Sequence, residues 1–64
     1  MISNKFFLLV KSYLDNDPVK TWKWLQTPNT ELYGFSPIEM LKQGRKRKLM
    51  GFIENTIAKK GYLP

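Results

Sequence analysis

The chain has 64 residues, of which 42% are hydrophobic and 14% aromatic, and its formal net charge is +6. This length allows one domain with a small core, and the apolar content is too high for a disordered chain. Cysteine and histidine are absent, which excludes disulfides, thiolate zinc sites and the commonest general base. The longest apolar run, 6–10, is too short for a membrane span or a signal peptide. We therefore expect one cytoplasmic domain over 1–64.

The N-terminal segment predicts a first helix that Ser3 can cap and that runs to about Asp15. Its apolar side chains recur at helical spacing, at Phe6, Leu9, Val10, Tyr13 and Leu14. Phe7 and Leu8 fall outside this stripe. The helix is therefore either packed between two neighbours or exposes a self-association face, which we assign to Phe6, Phe7 and Leu8.

A second helix is predicted from Pro18 to about Gln26, with Asp17 as its N-cap. One face would carry Val19, Trp22 and Leu25. We expect Trp22 to lie in the core. Trp24 projects roughly 200° away from Trp22 around the helix, so it is either a core residue or a contact to a partner.

The next segment contains the clearest helix-start signal of the chain. Pro28 ends the second helix, and Gly34 is expected to adopt a positive φ before the chain turns back. Ser36 then predicts an N-cap, followed by Pro37 at the first helical position and by Glu39, which completes a capping box. The third helix should end near residue 43.

A fourth helix is predicted from about Arg45 to Lys60, with Gly61 as the residue that ends it. Its apolar stripe consists of Leu49, Phe52, Ile53 and Ile57. Gly51 within it indicates close approach of another backbone. Residues 62–64 should form a short apolar tail outside regular structure. No segment alternates with a period of two, so we expect an all-α, compact bundle of about four short helices.

Positive charge is concentrated in the second half of the chain. Residues 1–35 hold four Lys against three carboxylates, whereas residues 36–64 hold seven Lys or Arg against two. The run 45–48 is entirely basic and lies at the positive end of the fourth helix, where each cation costs about 0.3–1 kcal/mol. Arg45 should project from the core-facing stripe. The run is either a solvated surface, a site for an acidic protein or a nucleic-acid contact.

Residues 22–41 read Trp-x-x-Leu-x-Thr-Pro-Asn-x-x-Leu-x-Gly-x-x-Pro-Ile-Glu-x-Leu, and Gly44-Arg45 follow. This pattern resembles the toxin-binding domain of the Xre/MbcA/ParS antitoxins over roughly a third of the chain. Ser36 replaces the usual Thr, and the basic run replaces residues that tend to be acidic or neutral. Most members of this family also carry a DNA-binding helix-turn-helix domain, for which 64 residues leave no room.

The resemblance implies a domain that binds and neutralises a RES-type, NAD-consuming toxin, or a related protein, through its last helix and tail. The predicted partner contacts are Trp24, Arg45, Tyr62, Leu63 and Pro64. The alternative is a small basic accessory protein of phage or plasmid origin that binds nucleic acid through Lys42, Arg45, Lys46, Arg47, Lys48, Lys59 and Lys60.

The carboxylates are scattered and the glycines isolated, so we expect no enzyme, no metal and no cofactor. We also expect a homodimer, since a chain this small has more apolar surface than it can bury.

Overall fold

Four α-helices and one 3₁₀ turn account for the regular structure in the computed structural model, which describes residues 2–63. The helices are α1 (Asn4–Ser12), α2 (Pro18–Gln26), α3 (Pro37–Lys42) and α4 (Lys46–Lys60), and the 3₁₀ turn spans Thr30–Leu32. Within 2–63 there is no strand. The radius of gyration, 10.7 Å, is what a compact domain of this length should have. The all-α prediction is confirmed.

Every element contributes at least one side chain to a single core. α1 and the turn after it supply three apolar residues, and α2 and α4 supply two each. The 3₁₀ turn and α3 each supply one, and one more residue follows α4. These residues are Phe6, Val10, Leu14, Trp24, Leu25, Leu32, Met40, Leu49, Ile53 and Leu63. Consecutive helices pack against each other, from α1 against α2 to α3 against α4.

α1 begins where the sequence predicts and ends earlier. The Ser3 hydroxyl accepts a hydrogen bond from the Phe6 N–H at 3.1 Å. The helix stops at Ser12 because Asp15 and Asn16 both adopt left-handed backbone, with φ of 59° and 54°. Asp and Asn tolerate this conformation better than other non-glycine residues. The prediction that the helix reaches Asp15 is therefore wrong by about one turn.

α2 presents a different face to the core from the predicted one. Trp22 is 43% exposed and Val19 is 74% exposed, whereas Thr21, Trp24 and Leu25 point inward. Thr21 can be fully buried because its hydroxyl donates to the Asp17 carbonyl at 2.8 Å. A hydrophobicity pattern treats Thr as polar, so it selects the wrong stripe. The prediction that Trp22 is a core residue is wrong.

The capping box at the start of α3 is confirmed. The Ser36 hydroxyl accepts from the Glu39 N–H at 3.2 Å, and the Glu39 carboxylate accepts from the Ser36 N–H at 2.9 Å. The hydrogen bond that the Ser36 backbone N–H donates to the carboxylate, and secondly the interaction with the Ser36 side chain, lower the pKa of Glu39 below its ordinary value. Gly44, with φ of 73°, follows the helix, and the N–H of Arg45 returns to the Met40 carbonyl at 2.9 Å. This is a Schellman-type helix end.

α4 differs from its prediction at Gly51. A Cβ placed on Gly51 would meet no atom within 4 Å, so no other backbone approaches it. Gly61, with φ of 80°, ends the helix as predicted. The chain then returns to the domain, and Leu63 is buried in the core with 4% of its surface exposed. Residues 62 and 63 lie outside regular structure, as predicted, although Leu63 is buried; Pro64 lies outside the described residues.

Candidate protein-binding surfaces

The basic residues from the end of α3 to the first turn of α4 form one exposed cluster. We call it the basic connection, and it consists of Lys42, Arg45, Lys46, Arg47 and Lys48. The only side-chain ion pair within residues 2–63 joins Lys20 to Asp15 at 2.7 Å, far along the chain from this cluster. No side chain of the basic connection therefore forms an ion pair with a carboxylate in the described part of the chain.

The helix that follows adds to this positive charge. Arg45 is the N-cap of α4, makes no side-chain capping hydrogen bond, and is followed by a first turn without an acidic residue. Unpaired N–H groups at a helix N-terminus are equivalent to roughly half a positive charge. The basic connection thus concentrates side-chain and backbone charge of the same sign, which is unfavourable for the isolated domain.

Within the basic connection, Lys46 lies over an aromatic ring of the core. The Lys46 ammonium lies 5.8 Å from the centroid of the Phe6 ring, within the range of a cation–π interaction. Arg45 is the exposed N-cap of α4 and lies one turn before Leu49, whose N–H donates to the Arg45 carbonyl at 3.1 Å.

Lys59 and Lys60 belong to a separate part of the surface. At 1.5 Å per residue, Lys60 lies about 21 Å along α4 from Lys46. Lys60 contributes instead to an open groove of about 390 Å³ beside the loop after α2, together with Trp24, Thr27, Pro28, Asn29, Thr30 and Glu31. The seven basic residues predicted as one nucleic-acid patch therefore form two clusters at opposite ends of α4.

The five predicted partner contacts do not form one surface. Trp24 is in the core with 8% of its surface exposed, and only its edge reaches the groove that Lys60 lines. Leu63 is buried, which is a correction to its assignment as a contact. Tyr62 is 59% exposed at the C-terminal end of α4, whereas Arg45 lies at the N-terminal end. Among the predicted contacts that lie within residues 2–63, Arg45 and Tyr62 have exposed side chains.

The predicted self-association face also changes. Phe6 is buried and cannot contribute, which is a second correction. Phe7 is half-buried, and its ring lies 5.0 Å from the ring of Trp22, centroid to centroid. Leu8 is exposed and lies on the outer side of α1, away from the core. We call Phe7, Leu8 and Trp22 the α1–α2 apolar set.

Sequence reasoning missed Tyr33, which has the most exposed aromatic side chain in residues 2–63. It adopts a left-handed conformation, with φ of 60°, directly before Gly34. The loop is held closed by Asn29, whose carbonyl accepts from the Leu32 and Gly34 N–H groups and whose side chain accepts from the Glu31 N–H. The sequence signal for this turn is Asn29 itself, because Asn side chains commonly accept from the backbone N–H two residues on.

No helix within residues 2–63 combines the length and the apolar character that crossing a membrane requires. Comparison of the chain with protein-family models, with curated proteins and with solved structures gave no match.

Proposed function

We propose that this chain is a non-catalytic, cytoplasmic protein-interaction domain that binds and neutralises a RES-type, NAD-consuming toxin or a related protein. The pattern over residues 22–45 resembles the toxin-binding domain of the Xre/MbcA/ParS antitoxins, and that resemblance supplies the class of partner. The observation that carries the binding role is the basic connection. Five exposed cations surround the uncapped start of α4, and an acidic surface on another protein would offset their repulsion.

Protein is favoured over nucleic acid by the distribution of charge and aromatic groups. The basic residues form two clusters about 21 Å apart along α4, rather than one continuous stripe that could follow a phosphate backbone. Exposed aromatic side chains of Trp22, Tyr33 and Tyr62 provide the kind of group that dominates protein–protein affinity. Of the predicted contacts, Arg45 and Tyr62 are the ones we retain, and Trp24 contributes only its edge.

The test is neutralisation of a RES-type enzyme that is co-expressed with the chain. We expect the wild-type chain to restore growth and cellular NAD and to co-purify with the enzyme. The Arg47→Gln/Lys48→Gln pair should slow association, because charges at the edge of an interface act mainly on the association rate. Lys11→Gln/Lys23→Gln removes the same net charge from α1 and α2 and is the matched control. Failure to bind or protect against any RES-type enzyme tested would refute the proposed partner.

Nucleic-acid binding is the second candidate, and the observation that favours it is the basic connection, whose side chains form no ion pair within residues 2–63. Binding to duplex DNA should then weaken with salt with a log–log slope of about −0.9 for each phosphate neutralised. Arg47→Gln/Lys48→Gln should reduce this slope, whereas Tyr62→Ala should leave it unchanged. Tight, salt-dependent duplex binding without binding to a RES-type enzyme would replace the first proposal with this one.

We also propose that the chain forms a homodimer through the α1–α2 apolar set. Phe7 and Trp22 already contact each other, and Leu8 adds exposed aliphatic surface on the same helix as Phe7. Such apolar surface on a small domain is typical of a contact to another chain.

A further inference from the structure

A second groove, of about 200 Å³, lies between α1 and α4 on the side where both helices begin. It is lined by Ser3, Lys5, Phe6, Leu9, Lys46 and Met50. Three of these side chains, from Phe6, Leu9 and Met50, are apolar. Its size is below the range of about 300–1,000 Å³ that is typical of small-molecule sites, so it suits one or two side chains of another protein.

All the charge in this groove is positive. Its two ionisable lining residues are Lys5 and Lys46, and the Lys46 ammonium lies over the Phe6 ring, 5.8 Å from its centroid. The groove also contains the first turns of α1 and α4, neither of which has an acidic residue. Two positive helix ends therefore reinforce the two ammonium groups. A ligand that fits this groove needs an apolar group to contact the apolar lining residues, which we call the floor, and negative charge to contact the two lysines, which we call the edge.

A second copy of this chain does not meet that requirement. Three of the five carboxylates already have partners within the domain: Asp15 pairs with Lys20, Asp17 caps α2 and Glu39 caps α3. The other two, Glu31 and Glu54, are far apart in the sequence, and the aliphatic residues next to them, Leu32 and Ile53, are buried, so neither belongs to an exposed aliphatic side chain flanked by carboxylates. Two grooves brought together would also place like charges against each other, in a chain with a net charge of +6. The occupant is therefore a different protein with an acidic surface.

We propose that the α1–α4 groove binds an acidic segment of a partner protein in which an apolar side chain is flanked by Asp or Glu. The apolar side chain contacts Leu9 and Met50, which line the groove together with the buried Phe6, and the flanking carboxylates contact Lys5 and Lys46. This inference rests on the proposed protein-binding function and specifies the part of the partner that is recognised. It assigns binding to Lys5 and Leu9, which the sequence analysis did not consider.

The experiment is a selection of random twelve-residue peptides displayed on phage, with the whole chain as target and the Met50→Glu variant as counter-target. We expect the enriched peptides to contain an apolar residue flanked by Asp or Glu. A synthetic peptide of the most enriched sequence is then titrated against variants and followed by fluorescence polarisation. Failure to enrich any peptide, or enrichment of peptides without acidic residues, would overturn the proposal.

The variants separate the floor of the groove from its edge. Met50→Glu should weaken peptide binding more than about tenfold, whereas the volume-conserving Met50→Leu should retain it. Lys5→Gln and Lys46→Gln should each weaken binding about two- to fivefold at low salt, as expected for exposed ion pairs. Lys23→Gln removes one charge from α2 and is the matched control. Circular dichroism checks the helical content of each variant, and unchanged affinity in Lys5→Gln and Lys46→Gln would contradict the assignment of the edge.

The two proposals fail in different ways. If the chain neutralises a RES-type enzyme and the Lys5→Gln and Lys46→Gln variants do so equally well, the groove assignment is wrong and the proposed function stands. If acidic peptides bind in the groove and no RES-type enzyme is bound, the proposed toxin partner is wrong and the groove assignment stands.

Discussion

Leu63 should contribute more to the stability of this domain than its position, one residue from the end of the chain, suggests. It is 4% exposed and belongs to the same core as Val10, Leu49 and Ile53. Replacing a buried Leu with Ala costs about 2–5 kcal/mol, and a residue outside regular structure can shift to fill part of the cavity, so we expect about 2–3 kcal/mol for Leu63→Ala. At 4–8 °C per kcal/mol for a domain of this size, the melting temperature should fall by about 10–20 °C.

The matched control is the preceding residue. Tyr62 is 59% exposed, and Tyr62→Ala should change the free energy of unfolding by no more than about 0.5 kcal/mol. The free energies of unfolding of both variants are to be measured by thermal and urea unfolding, followed by circular dichroism. A Leu63→Ala variant as stable as the Tyr62→Ala variant would show that the C-terminal return to the core does not stabilise the domain. A total stability of about 3–10 kcal/mol is expected for 64 residues, so the predicted loss is easily measured.

This result determines how the C-terminus can be tested for partner binding. Deleting residues 62–64 would remove a core residue together with a surface residue, so lost binding would also reflect lost folding. Tyr62→Ala changes the exposed aromatic group alone. We expect it to weaken binding to a protein partner while the melting temperature stays within a few degrees of the wild type.

Three further predictions concern helix α4, the cap of α3 and self-association. Gly51→Ala should stabilise the domain by about 0.5–1 kcal/mol, because a Cβ at this helical position meets open space. Gly61→Ala should destabilise the domain, because Gly61 has a φ of 80°. Urea unfolding of both variants tests these two expectations. The hydrogen bonds with Ser36 lower the pKa of Glu39 on folding. The carboxylate therefore adds to the free energy of unfolding at pH values above the pKa of Glu39 in the unfolded chain, and this contribution is lost as the pH falls through the pKa of Glu39 in the folded domain. Glu39→Gln should therefore be destabilising at pH 7 and nearly neutral at the acid end of a pH series of unfolding curves; a difference that does not change with pH would contradict this. Leu8→Glu should reduce dimerisation in light scattering over a dilution series without loss of helicity, and a mass near 7.6 kDa for the wild type at every concentration would exclude the dimer.

Helix starts could be predicted from the sequence because the interactions that fix them are local. Ser3, Asp17 and Ser36 each accept hydrogen bonds from N–H groups two or three residues ahead, so a short window contains both partners. The positive φ of Gly34, Gly44 and Gly61 follows from the same local rules. These signals suffice for an all-α bundle with nearly correct boundaries.

Burial could not be predicted as well, because it depends on contacts between distant parts of the chain. The choice between Trp22 and Trp24 as the core residue depends on the rotation of α2, which the buried Thr21 hydroxyl allows. The burial of Leu63 depends on packing against core residues that are distant in the sequence. The assignment of Phe6 and Leu63 to binding surfaces was wrong for this reason.

The uncapped first turn of α4 should also be where the folded domain opens most readily. Its N–H groups have no side-chain acceptor, and its four neighbouring cations repel one another, so local opening there requires little free energy. Amide hydrogen exchange should therefore be fast at residues 46–48 and slow around Leu49 and Ile53, which are fully buried. An acidic partner that contacts this turn would slow exchange at those amides, and the same partner would raise the melting temperature of the domain. Residues 46–48 thus provide a signal of binding that can be followed before the partner is identified.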